Sequence, residues 1–151
     1  MFKFEKLVFG DLGWGDEFLF ATLMTITVSI LSMGLGLCLA IITVWAKLIT
    51  NKITRLIANF YTTVVRGVPE LLVIYLIFFG GNTVVMSIAK LFGYNGYIEL
   101  NALTIGTIAI AFISATYSSE VLRAAYLAVN KGQIEAAKAL GLNKFQIFFK
   151  V

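Results

Sequence analysis

The chain is 151 residues long, 60% hydrophobic and 13% charged, with a mean hydropathy of +0.92. Soluble domains run at roughly half apolar and about a quarter charged, so this composition argues against a soluble single domain and for a membrane protein. The lack of His and the single Cys, Cys38 in an apolar run, exclude a disulfide framework and argue against a metal site; the net charge of +4 falls in clusters rather than in a nucleic-acid patch.

Residues 1–17 form an N-terminal segment of mixed charge, with Lys3, Glu5, Lys6, Asp11, Asp16 and Glu17. It lacks the apolar stretch of a cleavable signal peptide. Gly10, Gly13 and Gly15 argue against a regular helix there, Trp14 suits a membrane interface, and Asp16 is placed to cap the first span. From Phe18 to Ala46 there is no charge. A helix over 18–46 would be roughly 43 Å long at 1.5 Å per residue. It therefore tilts across, or projects from, a hydrocarbon core of about 30 Å. Ser32, Gly36 and Ala40 recur every four residues, giving a face on which another helix can approach closely. Lys47, Lys52 and Arg55 come next, and basic residues beside a short connection mark the cytoplasmic side. The N-terminus is accordingly expected outside.

A second span is expected over 57–79, interrupted at Arg66-Gly67-Val68-Pro69-Glu70. Pro69 removes an amide and clashes with the preceding turn, so a kink or break is predicted. Two readings of Arg66 and Glu70 stand side by side. In one they pair with each other or snorkel at the cytoplasmic interface. In the other they wall a gate or substrate path, as intramembrane charges usually do. Gly80, Gly81 and Asn82 are expected to end this span, with a short external helix over 83–92 capped by Asn82. A turn with interfacial tyrosines is expected at 93–97, and the region's poverty in Lys and Arg marks it as external.

The third span is predicted over 102–127. Thr116, Ser119, Glu120 and Arg123 fall on one of its helical faces by spacings of three and four. Such a polar stripe must face protein or water, although Glu120 and Arg123 can also simply pair with one another. Beyond Asn130-Lys131-Gly132 the chain reads as a cytoplasmic helical hairpin over 131–151. Gln133 to Leu140 favour helix, Gly141 supplies a left-handed stop, and Asn143 can cap a second helix carrying Phe145, Phe148 and Phe149. An interfacial amphipathic helix or a plain loop is the blander reading of the same residues.

Spacing then adds a resemblance. Glu135-Ala136-Ala137, three residues, Gly141, nine residues and an aliphatic at Val151 resemble the EAA loop of binding-protein-dependent ABC importer permeases. Tyr61-Thr62-Thr63-Val64-Val65-Arg66-Gly67-Val68-Pro69-Glu70-Leu71-Leu72 is similar to the Arg-Gly-x-Pro block of the polar amino-acid permeases. Ser119-Glu120-Val121-Leu122-Arg123 with Lys131-Gly132-Gln133 is similar to the stretch before their EAA loop. The likeness runs from about residue 16 to 151, nearest to the histidine, lysine/arginine/ornithine and opine permeases. Asn130 departs from it, standing where the family usually has proline. The usual five spans are also cut to three, since the chain stops at Val151, and it reads as C-terminally truncated.

The resemblance implies an all-α polytopic helix bundle, the transmembrane domain of a type I ABC importer, over 18–151 in a bacterial inner membrane. Glu135, Ala136, Ala137 and Gly141 would couple to a cytoplasmic ATPase subunit. Ala136, Ala137 and Ala139 make a thin helix that a groove can accept, and Glu135 can bond the partner or its own first-turn amides. Arg66, Pro69, Glu70, Thr116, Ser119, Glu120 and Arg123 would form the substrate path or gate. The expected partners are that ATPase, a second permease subunit, a periplasmic solute-binding protein and membrane lipid, with no nucleic acid. No cofactor is expected on this chain, because it lacks a glycine-rich phosphate loop and ATP would be bound by the partner. Two other classes compete. A small ion channel or membrane adaptor would use the charged stripes as a pore lining and conduct without an ATPase. A membrane-embedded enzyme finds no nucleophile and base at usable spacing.

Overall fold

The computed structural model describes residues 9, 13–94, 96 and 101–150, with Lys144, Phe148 and Phe149 described by backbone only. Most of the N-terminal segment, the tyrosine turn beyond residue 94 apart from Gly96, and the aliphatic position at 151 lie outside the described residues. Among the described residues six helices run in order: α1 (Gly15–Leu48), α2 (Lys52–Gly67), α3 (Glu70–Leu91), α4 (Ala102–Ala128), α5 (Lys131–Ala139) and α6 (Lys144–Lys150). Among the described residues, α1, α3 and α4 are long and apolar enough to cross a membrane.

The bundle is organised by the seam between α1 and α4. Ser32, Gly36, Ala40, Thr43 and Lys47 are the buried residues in the second half of α1. Ser32 Oγ donates to the Thr107 carbonyl at 3.2 Å. A Cβ on Gly36 would stand 3.1 Å from the Ala111 carbonyl oxygen and 3.3 Å from the Ser114 side chain, so only glycine lets the backbones come this close. Contacts advance in the same direction along both helices, from Ser32 at Thr107 to Lys47 at Glu120, and the two are therefore parallel. The expected small-residue face is real, and it runs two positions further than expected, through Thr43 to Lys47. Away from the seam α1 exposes Phe18, Phe20, Ile30, Met33 and Trp45. The hydroxyls of Thr22, Thr25, Thr27 and Ser29 are satisfied by carbonyls four residues back, as an apolar solvent demands.

Three boundaries differ from the sequence reading. First, α1 begins at Gly15, so Asp16 sits in its first turn; Trp14 takes the cap position with no side-chain cap bond. Second, the single interrupted span over 57–79 is two separate helices. Val68 is extended at φ −108°, ψ 143°, the conformation proline imposes on its predecessor. Pro69 then opens α3 and its carbonyl accepts from Leu72 N at 2.9 Å. Third, α3 does not stop at Gly80-Gly81-Asn82 but continues to Leu91, absorbing the short external helix. Glycine inside a helix costs only about 1 kcal/mol each, and Gly81 sits where its Cβ would be 3.8 Å from Ile105. The effective stop is Gly93 at φ +83°, with Gly93 N on the Lys90 carbonyl and Tyr94 N on the Ala89 carbonyl, both at 3.0 Å. That pair of bonds is a Schellman motif.

α3 packs antiparallel to α4, since Val73 clusters with Ile113 near one end and Gly81 faces Ile105 near the other. α2 is amphipathic and joins the bundle through its narrow side. Ala58, Thr62 and Val65 are buried, while Ile53, Leu56, Ile57 and Phe60 are exposed. Tyr61 ties it down, donating its hydroxyl to the Phe112 carbonyl at 2.6 Å with its ring 4.7 Å from that of Phe112.

Candidate functional site

Two places on this scaffold concentrate polar chemistry. The first is where α1, α2 and α4 converge, about two turns before the end of α4. There the seam that began at Ser32 delivers Lys47, only 5% exposed, into the bundle. A buried ammonium needs a counter-charge and acceptors. It has both, donating to Glu120 Oε1 and to Thr62 Oγ1, the latter at 2.7 Å. Arg66 and Arg123 each approach Glu120 at 3.9 Å. Arg66 also lies over the Tyr117 ring, 5.4 Å from its centroid, a cation–π arrangement. Beside this network opens a cleft of about 510 Å³ lined by Thr62, Thr63, Arg66, Gly67, Tyr117 and Glu120.

The residues singled out in the sequence are thus divided. Arg66 and Glu120 line the cleft and Arg123 approaches Glu120, whereas Glu70, in the first turn of α3, is not among the lining residues. Arg66 approaches Glu120 on another helix, at 3.9 Å, rather than Glu70, because the break at Pro69 destroys the four-residue register that would have paired them. Thr116 and Ser119 are fully buried and are not among the cleft-lining residues; they donate to the Ile113 and Thr116 carbonyls of their own helix at 2.7 and 2.8 Å. Pro69 shapes the corner between α2 and α3. Lys47, Thr62 and Tyr117 were missed. Lys47 continues the spacing of Ser32, Gly36, Ala40 and Thr43, and that register was the signal available.

The second place is the hairpin of α5 and α6. Asn130 caps α5, its side chain accepting from Gly132 N at 2.9 Å. That bond serves a first-turn amide, and Glu135, further along, is exposed with Ala136, while Ala137 is buried. Gly141 has φ +76°. Its amide bonds the Lys138 carbonyl at 2.9 Å and that of Leu142 the Ala137 carbonyl at 3.1 Å, another Schellman corner. Asn143 and Gln146 then bond each other's amides at 3.0 and 2.9 Å, a reciprocal capping box that starts α6. These local devices in sequence fix the corner tightly without a bulky side chain at its apex.

Span-length apolar helices, with a buried charge network at one end of the bundle and a capped hairpin beyond it, define a membrane-helix bundle. Residues 33–151 match the family described as binding-protein-dependent transport system inner membrane component, and the chain belongs to that family. It is 49% identical over 137 residues to the nopaline transport system permease protein of Agrobacterium fabrum, covering 90% of this chain and 58% of that protein. It is 34% identical over 139 residues to the histidine/lysine/arginine/ornithine transport system permease protein of Escherichia coli, covering 92% of this chain and 60% of that one. Among solved structures it resembles an amino acid ABC transporter crystallised with histidines, at 30% identity and TM-score 0.61, over 83% of this chain and 53% of that chain. The chain therefore spans about three-fifths of the length of these curated relatives, and its all-helical architecture is that of a type I importer transmembrane domain.

Proposed function

We propose that the chain is the permease subunit of an ATP-driven uptake system for a polar or cationic amino acid or an opine. It would lie in a bacterial inner membrane with its N-terminus outside and the α5–α6 hairpin in the cytoplasm. A separate ATPase subunit binds ATP and holds the hairpin, a second permease subunit completes the path, and a periplasmic solute-binding protein delivers the substrate. The chain is a non-catalytic component. The observation that carries this reading is the Gly141 corner: a left-handed glycine closed by two Schellman bonds and followed by a capping box, one turn after Glu135-Ala136-Ala137. Membership of the family and the names of the nopaline and histidine/lysine/arginine/ornithine permeases support the substrate class.

Co-expression with the cognate ATPase subunit tests it. The chain in native membranes should retain the ATPase through detergent extraction. Gly141→Asp, which puts a carboxylate at the apex and strains the left-handed backbone, should abolish that retention while membrane insertion is unchanged. Retention that survives Gly141→Asp, or that never occurs with the native chain, would overturn the reading. Uptake of labelled nopaline, octopine and arginine by the assembled system then decides the substrate.

A further inference from the structure

We propose that Lys47 sets the charge preference of the cleft between α2 and α4: by neutralising Glu120 it leaves Arg66 as the cleft's uncompensated charge, so the cleft receives the carboxylate of an amino acid. This rests on the permease reading and deepens it to one recognised group.

The cleft wall carries one cation and one anion, Arg66 and Glu120, and from its lining alone it would favour neither sign. Lys47 breaks the tie from outside the cleft. Its ammonium is buried and in direct contact with Glu120 Oε1, whereas Arg66 and Arg123 stand off at 3.9 Å. Contact in a site screened from water is the stronger pairing. The charge of Glu120 is therefore matched first by Lys47, which does not line the cleft. Lys47, Arg66 and Arg123 converge on Glu120, and with Glu70 in the first turn of α3 counted as well the balance is an excess of one positive charge. Arg66 is held over the Tyr117 ring, and its side chain is 44% exposed, so donors of its fork remain open to a ligand. A planar guanidinium presents two parallel donors that match a carboxylate. Thr63 adds a hydroxyl on the same wall, and Gly67 has nothing within 4 Å of where a Cβ would stand, leaving room beside Arg66. The volume of about 510 Å³ is in the range of small-molecule sites.

Lys47 is a positioning residue here, acting through Glu120, and charge selectivity is the readout that a merely structural role would not move. The purified full chain in lipid nanodiscs is titrated by calorimetry with L-arginine, with N-acetyl-L-arginine, which keeps the carboxylate and loses the amine's charge, and with L-argininamide, which loses the carboxylate. N-acetyl-L-arginine should bind about tenfold or more tighter than L-argininamide, the ratio expected from one charge-assisted hydrogen-bonded pair. Arg66→Gln, at a partly exposed site, should collapse the ratio towards unity. Lys47→Met should expose Glu120 and shift the preference towards L-argininamide. Lys47→Arg, and separately Lys47→Met combined with Glu120→Gln, should restore the carboxylate preference. Equal binding of the two analogues, binding by neither, or a ratio indifferent to Arg66→Gln would overturn the proposal, and so would a ratio unchanged in a folded Lys47→Met chain. ATPase retention, measured on the same preparations, separates the two claims: retention without carboxylate selectivity sinks this inference and leaves the permease reading standing, while selectivity without retention does the reverse.

Discussion

Lys47 and Glu120, 73 residues apart in the chain, meet where α1 and α4 end their shared seam, and they do so unequally. The lysine side chain is 2% exposed and the glutamate side chain 30%. The lysine therefore depends on its partner far more than the glutamate does, since water and two arginines still reach Glu120.

That asymmetry orders the stabilities of two variants. Glu120→Gln leaves a buried ammonium without its counter-charge, a defect worth about 3–5 kcal/mol. Lys47→Met removes the buried charge and leaves a carboxylate that keeps some water and arginine, costing about 1–2 kcal/mol once solvent screening is allowed for. Thermal unfolding in detergent, followed by circular dichroism, should rank the native chain above Lys47→Met and Lys47→Met above Glu120→Gln. The reverse order would mean that the pair is not what holds Lys47 in the bundle.

The seam gives a paired glycine test. Gly34 has open space where a Cβ would stand, whereas Gly36 has the Ala111 carbonyl at 3.1 Å and Ser114 at 3.3 Å. Gly34→Ala should stabilise by up to about 1 kcal/mol through helix propensity alone. Gly36→Leu forces α1 from α4 and should cost about 1–3 kcal/mol. The check is the sign of the melting-temperature shift for each variant in the same detergent. Equal shifts would mean that close approach at Gly36 carries no weight.

What could be read ahead of the structure divides by range. The Ser32, Gly36 and Ala40 face and the Gly141 and Asn143 corner are visible because each depends on residues within a turn or two of one another. Lys47 was hidden for the opposite reason. A lysine after an uncharged run of 18–46 reads as a topological marker, and nothing local reveals a carboxylate on α4 that draws it inward. Pro69 announced the break but not that α2 would become a separate amphipathic helix, because that depends on Tyr61 finding Phe112. Gly80-Gly81-Asn82 misled because its composition is that of a turn. An apolar helix packed along α4 tolerates it, and the chain stops instead at Gly93, where Gly-Tyr can complete a Schellman pair.

The Gly141 corner should show its backbone strain in graded form. At φ +76° a Cβ costs roughly 1–2 kcal/mol, and asparagine suffers less than other residues. Gly141→Ala should therefore raise hydrogen exchange at the Leu142 amide, which closes the corner onto Ala137, by about tenfold. Gly141→Asn should raise it less. Identical exchange in all three chains would show that the left-handed residue does not hold the corner.

Asn130 offers the last test, because it stands where the resemblance leads one to expect proline. Its own φ of −69° and ψ of 133° are those a proline ring adopts, and Val129 before it is extended at φ −67°, ψ 118°, as a residue preceding proline must be. Asn130→Pro thus fits the backbone. It loses the cap bond to Gly132 N but gains about 0.4–1 kcal/mol by restricting the unfolded chain, so the net change is near zero. Asn130→Ala loses the same bond with no such return and should cost α5 about 1 kcal/mol. Amide exchange over 132–134 distinguishes them: protection close to native in the proline variant and clearly reduced in the alanine variant. If proline is the more damaging of the two, the connection from α4 to α5 is not held in the conformation described, and the direction in which α5 leaves the bundle would have to be reconsidered.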